Sequence, residues 1–195
     1  LSSFILNYEP GQSIGEVAHK RLLSLLRSYY YLGGMPEAVS VFADTQSYKQ
    51  VSTVHNCIIE TYLEDFPKYT GSRNLNRMRK VFHFVARNVG KKIKYSNISP
   101  EDQSATLKKD IDLLSMARVI GKVTHSHCSG LPLHADMDEK VYKPLFLDVG
   151  LMNGICGLDW RAVSQMDDAK LINEGAIAEQ FVGQHLQNLL SDALN

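Results

Sequence analysis

The 195-residue chain is 44% hydrophobic and 22% charged, which fits a folded soluble protein and excludes a disordered or collagen-like one. Its 21 basic and 21 acidic residues cancel, so no overall field drives it toward a polyanion or a polycation. No apolar run approaches the roughly 18 residues of a membrane-spanning helix, and no secretory signal pattern opens the chain, so no membrane partner is expected.

The length allows one large domain or two to three small ones. The chain opens on Leu1 and closes inside a helical pattern, which suggests a segment of a longer protein. Phe4, Ile5 and Leu6, followed by the turn-like Glu9-Pro-Gly11, look like the remnant of an element. A helix is predicted over 16–32, with Leu22, Leu23, Leu25, Leu26, Tyr29, Tyr30 and Leu32 on a broad apolar face. Of Tyr29, Tyr30 and Tyr31, one or two belong in the core, because adjacent helical residues diverge by about 100°. Gly33-Gly34 stops this helix, and Pro36 starts another with Ala38, Val39 and Phe42 inward. A third helix is predicted over roughly 48–66, with Val51, Val54, Cys57, Ile58, Tyr62, Leu63 and Phe66 packed and Pro67 and Gly71 closing it. Residues 1–70 thus read as a helical module.

Residues 73–149 read as a winged-helix domain: helix, turn, helix, two-stranded wing. Met78, Val81, Phe82, Val85 and Val89 form the inner face of its first helix, with Arg77, Lys80 and Arg87 pointing outward. Ile98 ties in the short middle element. In the second helix, approached through 103–106, Leu107, Ile111, Leu114 and Val119 are the expected buried positions. Lys108, Lys109, Asp112 and Ser115 are expected to face solvent or a partner. Strands 119–125 and 141–147 should pair antiparallel. After them, Gly150, Gly154 and Gly157 make no phosphate loop and read as packing and helix-ending glycines. A final helix from about 173 should bury Ile177, Ala178, Phe181, Val182, His185, Leu186, Leu189 and Leu190. The fold class is therefore mainly α with small β, and 150–195 forms a helical C-terminal segment.

Charge is uneven along this order. Residues 73–94 hold Arg73, Arg77, Arg79, Lys80, Arg87, Lys91, Lys92 and Lys94 and no acid, while 159–195 hold six acids against Arg161 and Lys170. Arg77, Lys80, Arg87, Lys91, Lys92 and Lys94, with Lys108 and Lys109 beside them, are the candidate nucleic-acid contacts. Asp110 and Asp112 beside the two lysines oppose a phosphate partner.

Catalytic and metal signals are thin. Cys57, Cys128 and Cys156 form no Cys-x-x-Cys pair and read as reduced cytosolic thiols, consistent with a cytoplasmic protein. His125, His127, Cys128 and His134 cluster in sequence but match no zinc spacing. Asp148 reads either as a metal carboxylate or as the cap of a helix near Leu151. No Gly-x-Ser-x-Gly elbow is present. No catalytic residue, cofactor-binding residue or metal ligand is assigned to this chain.

Three stretches together resemble a known family. They are Leu22 to Ala38, which contains Tyr-Tyr-Tyr-Leu-Gly-Gly-Met-Pro-Glu-Ala; Lys143 to Asn153, which contains Leu-Asp-Val-Gly-Leu-Met-Asn; and Glu174 to Val182. The set, with Leu131-Pro-Leu133, is similar to the C-terminal DUF4143 region of prokaryotic AAA-type P-loop ATPases. The resemblance implies a missing ATPase domain in the same parent chain, using ATP and Mg²⁺. It further implies that 150–195 begins a degenerate restriction-nuclease-like domain, with Glu179 as a nuclease-like remnant. It implies no nucleotide hydrolysis by this chain, which has neither Walker motif. Two functions follow: a non-catalytic regulatory or nucleic-acid-binding region, or a protein-interaction or oligomerisation module. A nuclease, resting on Glu179 alone, is a distant third.

Overall fold

The computed structural model describes residues 8–9, 11–70, 74–126, 130, 137–167 and 175–193. The chain is mainly helical, with one small antiparallel sheet. Helix α1 (Glu16–Leu32) ends at Gly33, whose φ of 69° only glycine adopts without strain. Helix α2 (Pro36–Thr45) starts on the proline and ends at a left-handed Gln46, whose side-chain amide donates back to the Phe42 carbonyl. Helix α3 (Tyr48–Thr70) runs past Pro67 instead of ending there. The proline removes a single intrahelical N–H in the last turn. Phe66 is buried beside it, and the core contact carries the helix through.

Helix α4 (Leu75–Arg87) is followed by a short strand β1 (Ile93–Lys94), a 3-10 turn (Tyr95–Asn97) and helix α5 (Ser104–Met116). Helix α5 begins earlier than its apolar pattern suggests. Leu107, Ile111, Leu114 and Val119 are all buried as the pattern requires. Strands β2 (Ile120–Ser126) and β3 (Met137–Phe146) pair antiparallel, and the sheet order is β1-β3-β2. The register runs from Ile120 opposite Phe146 to Thr124 opposite Tyr142, then slips so that His125 faces Asp138. Residues 139–141 of β3 stand between these two pairs where β2 has none, so the ladder is interrupted there. Helices α6 (Val149–Ile155), α7 (Trp160–Gln165) and α8 (Gly175–Ala193) complete the order.

One buried cluster links all of this. Tyr30, Ile59 and Phe66 of the front helices meet Phe82, Val85, Leu107, Ile111, Tyr142 and Phe146 of the middle, then Leu151 and Ile177. A smaller cluster gathers Tyr31, Ala38, Val51, Val54 and Val163. Tyr30 and Tyr31 are core and Tyr29 is half-buried, which divides the three tyrosines as helix geometry demands.

Helix α8 departs from its apolar pattern. Val182, Leu186 and Leu189 are 52%, 53% and 66% exposed, and His185 is exposed. Gln180 and Gln184 are buried in their place. The inward face is chosen by hydrogen bonding: Gln180 accepts from the Phe146 amide at 2.7 Å and donates to the Phe146 carbonyl at 2.6 Å. These are backbone groups at the end of β3 that no strand partner satisfies, and leaving them bare in the core costs more than exposing leucines.

Among the described residues Tyr142 is the largest fully buried side chain, and its hydroxyl has no hydrogen-bond partner among them. Burial, then Tyr95 and Asp112, pushes its ionisation upward. Removing an unpartnered buried hydroxyl removes a desolvation penalty of about 1–3 kcal/mol. Tyr142→Phe should therefore leave the urea midpoint unchanged or raise it. A clear drop would mean that the hydroxyl is held by an ordered water.

Candidate functional site

Helix α4 separates its residues by face. Met78, Val81, Phe82, Val85 and Ala86 are buried. Asn76, Arg79, Lys80 and Arg87 are exposed and His83 is half-buried between them. At about 100° per residue these five share one sector of the helix surface, and no acid lies among them. After Gly90 turns with φ of 77°, Lys91, Lys92 and Lys94 are exposed in succession. None of Arg79, Lys80, Arg87, Lys91, Lys92 or Lys94 forms an ion pair with another described residue. Burial first, then Arg87 and Arg79, holds the His83 ring below its ordinary value. Arg79 and His83 were missed as candidate contacts; their spacing to Arg87, eight and four residues, was the available signal.

Arg77 does not point outward with these cations. Its guanidinium pairs with Asp110 of α5, Nε to Oδ2 at 2.5 Å and Nη2 to Oδ1 at 3.2 Å. The Asp110 side chain is 4% exposed, so Arg77 neutralises a buried carboxylate and ties α4 to α5. The hydrogen bond to Asp110 also raises the Arg77 pKa, against a smaller cost of burial. Lys108 and Lys109 are exposed on α5, but the neighbouring Asp112 pairs with Lys122 at 2.6 Å, so the α5 surface is mixed in sign.

Glu179 pairs with Lys143 and lies against Gly90, where an added Cβ would collide with its carboxylate. Among the described residues no three His, Cys, Asp or Glu side chains converge as metal ligands. His127, Cys128 and His134 lie outside the described residues; His125 is exposed on β2. Cys57 and Cys156 are free thiols.

Asp148 is a cap. Its Oδ1 accepts from the Leu151 amide at 3.0 Å, closing the first turn of α6. Its Oδ2 accepts from the Gly34 amide at 2.7 Å, reaching back 114 residues. Around this bond the distinctive segments lock together. Asn153 donates to the Tyr30 carbonyl at 2.7 Å. His55 Nε2 donates to the Leu32 carbonyl at 3.0 Å. Gln184 accepts from the Val149 amide and donates to the Tyr29 hydroxyl. Gly150 passes so near α1 that a Cβ there would lie 2.7 Å from the Leu32 carbonyl oxygen. The Tyr-Tyr-Tyr-Leu-Gly-Gly and Leu-Asp-Val-Gly-Leu-Met-Asn stretches are two halves of a buried polar clasp.

The clasp predicts a pH dependence. Burial holds His55 below its ordinary value, against the smaller opposing pulls of Asp148 and the Leu32 carbonyl. The unfolded ring, titrating near about 6.5, then binds a proton more readily than the folded one. Stability therefore falls as pH drops below about 6.5, until the folded ring itself titrates. His83 is shifted in the same direction and adds to this. Urea midpoints should be lower at pH 5.5 than at pH 7.5, and His55→Asn should flatten the difference. An equal slope in that variant would remove His55 from the account.

These features define a mainly helical protein with a three-stranded antiparallel sheet, closed by a clasp between segments far apart in sequence. The family model described as a domain of unknown function (DUF8612) matches residues 23–162, and the chain belongs to that family. No curated protein and no solved structure matches it. The family match corrects the resemblance to the DUF4143 region: the matching family is DUF8612, not DUF4143. The expectation of an ATPase domain with ATP and Mg²⁺ rested on that resemblance and loses its support. The stretches that suggested it, Tyr29 to Ala38 and Leu147 to Asn153, are accounted for by the clasp.

Proposed function

We propose that this chain is a non-catalytic nucleic-acid-binding module that holds the phosphate backbone on the cationic surface of α4 and the Lys91–Lys94 segment. The observation that carries the reading is six exposed arginines and lysines without ion-pair partners among the described residues, in a stretch free of acids. Unpaired clustered cations repel one another, and a polyanion relieves that repulsion while releasing its own counterions. The order α4, β1, turn, α5, β2, β3, with β3 between the other two strands, supports a winged-helix reading of 75–146. In this reading the phosphate-facing element is α4 rather than α5. The second helix carries Asp112 paired to Lys122 and presents no uniform charge. Contact with phosphates alone positions a protein without reading sequence, so binding should be sequence-independent.

A protein-interaction role has one specific observation in its favour. Between α3 and α5, Tyr62, Phe66, Leu113 and Ala117 line an apolar groove of about 430 Å³, with Tyr69 and Met116 exposed at its edge. Salt separates the two readings. Duplex DNA titrated at several salt concentrations should give a log–log slope near about −0.9 per phosphate neutralised, or about −3.6 for four working contacts. Absence of DNA binding at low salt, with the fold intact, would favour the protein-interaction reading.

A further inference from the structure

A second opening adjoins the clasp, lined by no cationic side chain. It is a cavity of about 170 Å³ between α1, α3 and the segment that leaves α6. Tyr31, Ser52, His55, Asn56, Gly154 and Asp159 line it. Ser52, His55 and Asn56 sit three and four residues apart on α3, so one helix face supplies three polar groups to the same space. From this arrangement we infer that the cavity is a binding site for a small primary ammonium compound.

The chemistry follows from which lone pairs are left over. The Leu32 carbonyl can only accept, so the proton of the neutral His55 ring sits on Nε2, and Nδ1 keeps an acceptor lone pair. His55 is 3% exposed, and that burial favours the neutral ring. Asp159 uses Oδ1 to cap α7, accepting from the Ala162 amide at 2.7 Å, and its second oxygen adds a further acceptor. Asp159 also acts on the Tyr31 hydroxyl, whose ionisation is raised first by burial and lowered in part by Ser52. The cavity therefore offers an imidazole lone pair, a carboxylate oxygen and hydroxyl and amide oxygens, with a formal charge from Asp159 alone. An ammonium group, with three donors and one positive charge, complements that set; an anion does not.

The size is also restrictive. A cavity of about 150 Å³ accommodates a six-carbon ring, so this one admits a compound of a few heavy atoms. Gly154 leaves the space open. A Cβ there would meet Ile59 Cδ1 at 3.6 Å and His55 Cβ at 3.8 Å, ordinary contact distances, so packing does not require glycine at this position. The site is independent of the cations on α4, and its test does not involve nucleic acid.

Ethanolammonium and its uncharged counterpart ethylene glycol are the probes, added to the whole chain and followed by amide NMR shifts. Ethanolammonium should give saturable shifts confined to residues near 52–56 and 150–159, at millimolar concentration, with ethylene glycol at least tenfold weaker. Asp159→Asn preserves a capping side chain and should weaken ethanolammonium at least tenfold. Gly154→Val fills the space and should abolish the shifts while the thermal midpoint shows that the protein is folded. If that variant does not fold, Asp159→Asn alone decides. Equal response to the two probes, shifts that never saturate, or unchanged affinity in Asp159→Asn would overturn the assignment.

Discussion

Gly150→Ala should lower the stability of this protein by about 3 kcal/mol, near the upper end of typical overpacking costs. For a chain of this size that corresponds to a fall of about 6–12 °C in thermal midpoint. The added Cβ would lie 2.7 Å from the Leu32 carbonyl oxygen, 2.8 Å from the Leu32 carbonyl carbon and 2.9 Å from the Gly33 nitrogen. All three are backbone atoms, so no side chain can swing away. Moving α1 back would stretch the 2.7 Å bond from Gly34 to Asp148 and the 2.7 Å bond from Asn153 to Tyr30 together. The loss is thus cooperative, because each clasp bond depends on the same approach of α6 to α1. Gly154→Ala, one turn further along α6, is the internal control. Its Cβ meets only ordinary contacts, and alanine is the better helix former by about 1 kcal/mol. Its midpoint should hold or rise. Equal midpoints for Gly150→Ala and the wild type, measured calorimetrically, would show that the backbone contact yields and that the clasp is looser than described.

What could be read from the sequence, and what could not, divides by distance along the chain. The α1 stop at Gly33 and the Asp148 cap are local: the deciding atoms lie within a few residues of one another. The buried faces of α4 and α5 were legible because apolar spacing and burial agree there. Arg77 was misplaced because its partner Asp110 lies 33 residues away, and an arginine on an amphipathic helix looks the same whether it faces water or a buried carboxylate. Helix α8 buries Ile177 as expected, but Val182, His185, Leu186 and Leu189 face outward for a related reason. Gln180 and Gln184 face inward to satisfy Phe146 and Val149, whose unpaired backbone groups belong to another part of the chain. Pro67 failed as a terminator because the buried Phe66 beside it outweighs one missing hydrogen bond. For the candidate interface, the acid-free basic run was visible directly. The exclusion of Arg77 and the inclusion of Arg79 and His83 depend on which face each residue occupies.

The loss of salt dependence on removing Lys91, Lys92 and Lys94 is the largest functional effect expected. All three are exposed on the segment after Gly90, none is an ion-pair partner of another described residue, and none contributes to the buried cluster. Changing them to glutamine should leave the thermal midpoint within about 1 °C, since isolated surface substitutions alter stability by about 0.5 kcal/mol or less. Each phosphate contact removed should make the slope shallower by about 0.9, so the triple variant should lose about 2.7 of a slope near −3.6. The neighbouring Arg79, Lys80 and Arg87 on α4 should keep a weaker residual interaction.

The most direct measurement is a paired titration of one duplex DNA with the wild type and with Lys91→Gln/Lys92→Gln/Lys94→Gln, from about 50 mM to about 200 mM salt. Wild-type binding should be measurable and weaken steeply with salt, and the variant should bind less tightly at low salt with a clearly shallower slope. Undetectable wild-type binding at about 50 mM salt, or the same slope in both proteins, would contradict it.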